Sequence, residues 1–229
     1  MKLDYITACV NTLDYLQVSF KHNKNEFDRF TVVTSERDPE TQEFCRDNGI
    51  NVIVTELFYH QGRKFDRGLA LNAAWYTIAH DADWVIHADC DVFVPPNWRD
   101  KMPELNREFF YGSRRVLLNT YQDYLDFVSG AKKESDFEIP LGIGYGFFQM
   151  FNWNSSVVQN HIKNRTMLYP ASPRGDVCES DWMFRNQWGD HAPNDYTRVI
   201  GNLAELPFYV YHIGRHGQNH QGRTSPKFQ

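Results

Sequence analysis

From residue 5 to residue 88 the chain alternates between short apolar runs and stretches with helical spacing. Residues 5–10 read as a buried strand, 13–22 as a helix and 29–34 as a second strand. Residues 39–48 predict a helix, with Pro39 in its first turn and Gly49 just past its end. Residues 51–57 predict a third strand, 65–80 a helix with Leu69, Ala73 and Ile78 on one side, and 84–88 a fourth strand. Strands and helices in alternation, joined by short links, predict a mostly parallel central sheet flanked by helices, the α/β class. Past residue 103 the rhythm is lost. Residues 103–140 mix charged and aromatic segments, 129–135 read as a loop, and Gly142, Gly144 and Gly146 mark a strand or turn that another group approaches closely. An apolar run over 206–210 leads into Tyr211-His212-Ile213-Gly214, and the polar remainder has little to bury, so a flexible tail is expected there.

Composition narrows the reading. The chain has 229 residues, 41% of them hydrophobic and 15% aromatic, enough for one domain with a substantial core. A net charge of −5 argues against general adhesion to nucleic acid. Four scattered cysteines without a C-x-x-C pair suit a reducing compartment, and no apolar run is long enough to span a membrane. The expectation is a cytoplasmic protein, or one in a host cytoplasm if viral, in which the triplets at Asn154 and Asn164 carry no glycan.

The candidate chemistry begins at Asp89-Cys90-Asp91, directly after the fourth strand and before Pro95-Pro96. In an extended chain the side chains at i and i+2 point the same way, so the two carboxylates can converge. Converging carboxylates suit a hard cation such as Mn²⁺ or Mg²⁺, and such ions bridge phosphates. A strand running into a solvated polar turn is the plainer alternative. Arg67, near the start of the 65–80 helix, can meet a phosphate or a base carbonyl, or lie on the surface; Asn72 follows on the same helix. Glu179 and Asp181 start another helix, where acids serve either as caps or as a general base. His212 is a structural histidine or a third metal ligand.

In order, FDRGLALN at 65–72, HADCD at 87–91, the glycine segment, ESDWMFR at 179–185 and a late His with Arg215 and Arg223 resemble the GT-A fold nucleotide-sugar glycosyltransferases, especially their inverting family-2-like and galactosyltransferase-like members. The resemblance spans roughly residues 4–223 and implies a single Rossmann-like GT-A domain over 1–229. It would have a nucleotide-sugar-binding half (1–95), a smaller mixed acceptor-side and catalytic region (96–212) and the tail (213–229). It implies that Asp91 binds Mn²⁺ or Mg²⁺, that Asp89 contacts the metal or ribose, and that His212 completes the metal set. It further implies that Arg67 and Asn72 lie along the nucleotide, that Ser35 or Glu36 meets the uracil, and that residues 8–11 form the first nucleotide-contacting loop. Arg215 and Arg223 would hold the diphosphate. The family's acidic motif is matched less cleanly, which leaves the base open between Glu179 and Asp181.

The implied activity is transfer of a sugar from a nucleotide donor, UDP-linked by expectation, to an acceptor hydroxyl with inversion. A nucleotidyltransferase of similar topology is disfavoured because residues 9–13 read Cys-Val-Asn-Thr-Leu rather than a glycine-rich basic loop. A non-catalytic nucleotide- or sugar-binding protein is the other alternative. The acceptor stays open: Arg114, Arg115, Lys132 and Lys133 more plainly form an ordinary solvated surface, but would suit a polyanion such as hydroxymethylated DNA, and a glycan, protein or small molecule fits equally.

Overall fold

The computed structural model describes residues 1–63, 65–77, 81–140, 147–171, 177–192, 195–214 and 228. Its first half follows the expected alternation: β1 (Leu3–Ala8), α1 (Leu13–Asn23), β2 (Arg29–Thr34), α2 (Pro39–Asp47), β3 (Asn51–Val54), α3 (Arg67–Thr77) and β4 (Trp84–Ala88). The second half adds β5 (Val92–Phe93), β6 (Phe110–Leu118), α4 (Tyr121–Val128), β7 (Phe148–Asn152), α5 (Ser156–Asn164), α6 (Val177–Arg185), β8 (Gly189–Ala192), β9 (Asp195–Gly201) and β10 (Leu203–Ile213). Eight strands form one sheet in the order β3-β2-β1-β4-β7-β6-β10-β5, and β8 and β9 make a separate hairpin. β1 to β4 are mutually parallel; β7 runs against both β4 and β6, so β6 and its parallel partner β10 point the same way as β4. The carboxyl ends of β1, β4 and β10 therefore share one edge of the sheet.

Local chemistry explains the boundaries. Asp38 caps α2, accepting from Thr41 N at 3.1 Å, and Gly49 follows the helix at φ +65°. The same carboxylate accepts from Asn11 N at 2.7 Å, which fixes the β1–α1 turn, where Asn11 itself has φ 57°. That turn ends β1 two residues before the expected Val10. β3 stops at Val54 because the chain turns into a 3-10 segment, Leu57–Gly62, after Thr55 N reaches Thr34 O. Asp66 starts α3 by accepting from Leu69 N at 2.9 Å. Residues 78–80, the expected end of this helix, and the glycine segment at 142–146 lie outside the described residues. Between 103 and 140, β6 and a helix capped by the reciprocal Thr120–Asp123 box had no counterpart in the sequence reading.

The core lies on both faces of the sheet. Tyr5, Ile86, Val92, Trp98, Met150 and Val210 belong to one cluster, and Ile6, Val85, Phe151, Phe184 and Trp188 to another. A third forms where Tyr211, Ile213, Val116 and Leu118 meet α4. Phe228, near the end of the expected flexible tail, is buried here against Tyr15 and Tyr121, and its N–H donates to Asp14 at 2.6 Å. Cys9, Cys45 and Cys90 are buried free thiols. No helix among the described residues is long and apolar enough to cross a membrane.

Candidate active site

Asp89 leaves the end of β4 with its N–H donating to Phe147 O at 3.0 Å. Two residues on, the chain enters β5, which pairs antiparallel with β10 and sets His212 opposite Val92. Ile213 N donates to Asp91 O at 2.9 Å, so backbone pairing holds Asp91 beside His212. His212 Nε2 lies 3.6 Å from Asp91 Oδ1, and one ligand atom from each of Asp89, Asp91 and His212 falls within 4.8 Å of the others. A small octahedral cation holds ligands at about 2.1 Å, which sets neighbouring ligands ~3–4 Å apart, close to the spacing of these three groups. Burial, reinforced by the positive charge of Arg115, lowers the His212 pKa to about 4, which keeps the imidazole neutral with a lone pair to offer. Two carboxylates and a neutral imidazole fit Mn²⁺ or Mg²⁺.

Arg67, in the first turn of α3, bridges the two sides of the cleft: Nη1 bonds Asp89 Oδ1 and Nη2 bonds Asp181 Oδ2. Burial raises the Asp89 pKa; Arg67 opposes that shift and neighbouring Asp91 reinforces it. Asp181 sits on α6, which packs against α3 where Gly68 meets Ser180; a Cβ on Gly68 would lie 2.7 Å from the Ser180 Cβ. Under this clasp lies a polar layer. His87 Nδ1 is 2.9 Å from Gln149 Oε1, and Gln149 Nε2 donates to Asp181 O at 3.4 Å. The Tyr169 ring meets the edge of His87 and stacks on Phe184.

Several expected ligand residues are occupied otherwise. Asn72 is buried and spends its amide on Gly68 O (3.1 Å) and on both backbone groups of Tyr169 (2.8 and 3.1 Å), so it ties α3 to the segment before α6. Ser35 is buried and donates to Glu56 Oε1 at 2.6 Å, while Glu36 is exposed and offers its N–H to the same oxygen at 3.0 Å. Glu56, which the sequence reading missed, organises this loop and also binds Arg37. Arg215, Arg223 and the Glu179 side chain lie outside the described residues. Of the four cations expected to line a groove, Arg114 pairs with Glu205 and Lys132 with Asp123 and Asp126, Lys133 is exposed, and Arg115 alone turns to the Asp89–Asp91–His212 group.

Two predictions arise here. Gly214 follows β10 at φ +84°, and a Cβ there would lie 2.6 Å from the Tyr15 ring. Gly214→Ala should cost roughly 1–3 kcal/mol from backbone strain alone, plus the clash; a thermal melt unchanged from the native one would refute this. The second concerns pH. Burial, helped by the Arg67 charge, lowers the His87 pKa to about 3 from its ordinary 6.5. The folded state therefore keeps His87 neutral where the unfolded chain takes up a proton. Its contribution to stability is complete above pH 6.5 and is lost as pH falls from 6.5 towards 3, at about 1.4 kcal/mol per pH unit within that window. Denaturant titrations from pH 7.5 to 4.5 should show this slope reduced in His87→Gln; identical slopes would disprove it.

No protein-family model and no curated protein sequence matches the chain. Solved structures do match it. One is described only as a mycobacterial protein, with TM-score 0.57 at 10% identity, over 93% of this chain and 68% of that one. Another is glucosyl-3-phosphoglycerate synthase from Mycobacterium tuberculosis in complex with Mn²⁺, UDP and glucosyl-3-phosphoglycerate, with TM-score 0.52 at 12% identity, over 98% and 73% of the two chains. A further structure of that synthase gives 0.52 at 11% identity, over 95% and 73%. Against another of its complexes the match spans 55% of that chain. The likeness is one of fold: the α/β architecture expected from the sequence, a mostly parallel central sheet flanked by helices, is the one observed, and a small antiparallel hairpin accompanies it.

Proposed function

We propose that this protein is a metal-dependent glycosyltransferase that moves a sugar from a UDP-sugar to an acceptor hydroxyl with inversion. The observation that carries the reading is the convergence of Asp89, Asp91 and His212 at the carboxyl edge of a sheet shared with a UDP- and Mn²⁺-bound enzyme. Asp91 and His212 would hold Mn²⁺ or Mg²⁺, with Asp89 shared between the cation and Arg67. When bound, the cation supplies positive charge to the departing diphosphate.

The chain's own residues do the rest. Arg67 orients Asp89 on the donor side and Asp181 on the acceptor side, so one guanidinium sets the spacing between the two halves of the site. Of the two acids left open by the sequence, Asp181, which pairs with Arg67 beside Asp89, is assigned here as the general base that would take the proton from the acceptor hydroxyl. The β1–α1 turn at 8–11 and the loop at 35–37, whose N–H groups at Asn11 and Glu36 are held by Asp38 and Glu56, would flank the nucleotide at the same edge.

The direct test is incubation with UDP-glucose, UDP-galactose and UDP-N-acetylglucosamine, with Mn²⁺ or with EDTA, reading UDP release. Mn²⁺-dependent release from one donor is expected. The absence of release from any donor, together with cleavage of a nucleoside triphosphate, would favour the nucleotidyltransferase alternative.

A further inference from the structure

Arg115 stands in the middle of β6, where its register partner on β10 is Val210. Partners in a parallel pair present side chains to the same face, and residues two apart share a face. Val116, Leu118, Tyr211 and Ile213 all enter the cluster under α4, which leaves Arg115 and His212 together on the opposite face. The Arg115 guanidinium lies 4.2 Å from the centre of the Phe147 ring, and that ring stands edge-on to the His212 ring at 6.4 Å between centres. Phe147 in turn receives the Asp89 N–H on its carbonyl. Arg115 is thus tethered by stacking to the segment that positions the metal-binding group.

Its hydrogen-bonding capacity is unspent among the described residues. Arg115 makes no hydrogen bond or ion pair with any of the described residues, whereas Arg29, Arg37, Arg67, Arg99 and Arg114 each hold a carboxylate. A guanidinium carries five donors in a planar fork that matches phosphate oxygens. Burial lowers its pKa, while the negative charges of Asp89, Asp91 and Glu138 act in the opposite direction. A half-buried, stacked and hydrogen-bond-poor arginine beside a cation site is arranged for an anion that arrives with the cation.

We propose that Arg115 binds the diphosphate of the nucleotide donor, from the face of the sheet that carries His212, as a second positive charge on the leaving group. This rests on the glycosyltransferase reading above. It assigns to a residue of the central sheet a contact that the sequence suggested for Arg215 and Arg223. Stacking on Phe147 restricts the side chain before the ligand arrives, so less ordering remains to be done on binding.

The test is calorimetric titration of UDP in Mn²⁺ for the native protein, Arg115→Gln and Arg115→Lys, with Mn²⁺ binding alone followed by electron paramagnetic resonance and folding followed by thermal melting. Arg115→Gln should weaken UDP about 10- to 100-fold, the range expected for lost hydrogen bonds to a charged group. Arg115→Lys should fall in between, and Mn²⁺ affinity without nucleotide should not drop in either variant. If UDP binds the folded Gln variant as tightly as the native protein, Arg115 has no diphosphate contact and the glycosyltransferase reading is untouched. A lower melting temperature with unchanged UDP affinity would likewise leave Arg115 as a packing residue and overturn the proposal. If the native protein binds no UDP in Mn²⁺, the functional reading fails first and this assignment goes with it.

Discussion

Asp91→Asn should abolish Mn²⁺-dependent binding of UDP and, with it, sugar transfer, while the protein still folds. Two of the described contacts of Asp91 are separable. Its carbonyl accepts from Ile213 N at 2.9 Å, a backbone bond that the substitution leaves in place. Its carboxylate lies 3.6 Å from His212 within the Asp89–Asp91–His212 group. Asparagine keeps the shape and removes the charge, so the loss falls on the cation. Changes to partners outside a metal's ligand set already cost about 10–100-fold in metal affinity or activity; losing a ligand should cost more than the upper end of that range. Far-ultraviolet circular dichroism and a melting curve would establish the fold, and Mn²⁺ titration the loss. A folded variant with native metal affinity would return Asp89 and Asp91 to being a polar turn.

Asp181→Asn should separate binding from chemistry. Asparagine can still offer its side-chain oxygen to Arg67, so the clasp between α3 and α6 keeps its geometry. Donor binding should remain within a few-fold of native, whereas transfer should fall roughly 10²–10⁴-fold, the usual contribution of a positioned base. Glu179→Gln is expected to keep most of its transfer activity. The reverse pattern, with Glu179→Gln inactive and Asp181→Asn active, would move the base to Glu179, and two active variants would end the case for inversion by this pair.

Much of the fold was legible because its signals are local. β2 and β4 begin and end where their apolar runs do, and α2 sits between the proline and glycine that punctuate it. β6 was hidden because Ser113, Arg114 and Arg115 interrupt its apolar run; only the sheet reveals that Arg114 faces an acid on β10 and Arg115 faces the site. Asn72's packing role was hidden for a different reason. Helical spacing places it a turn and a half from Arg67 but does not say which face meets solvent, and its buried face holds the Tyr169 backbone. The meeting of Asp91 with His212 depends on β10 passing β5, a long-range pairing that no local pattern encodes.

The measurement that bears most directly on the central reading is a calorimetric titration of UDP, GDP and CDP into the protein with and without Mn²⁺. UDP should bind in Mn²⁺, more tightly than GDP or CDP and at least 10-fold more weakly once the metal is chelated. A properly folded protein that binds none of the three, with or without Mn²⁺, would contradict a nucleotide-sugar site built on Asp89, Asp91 and His212.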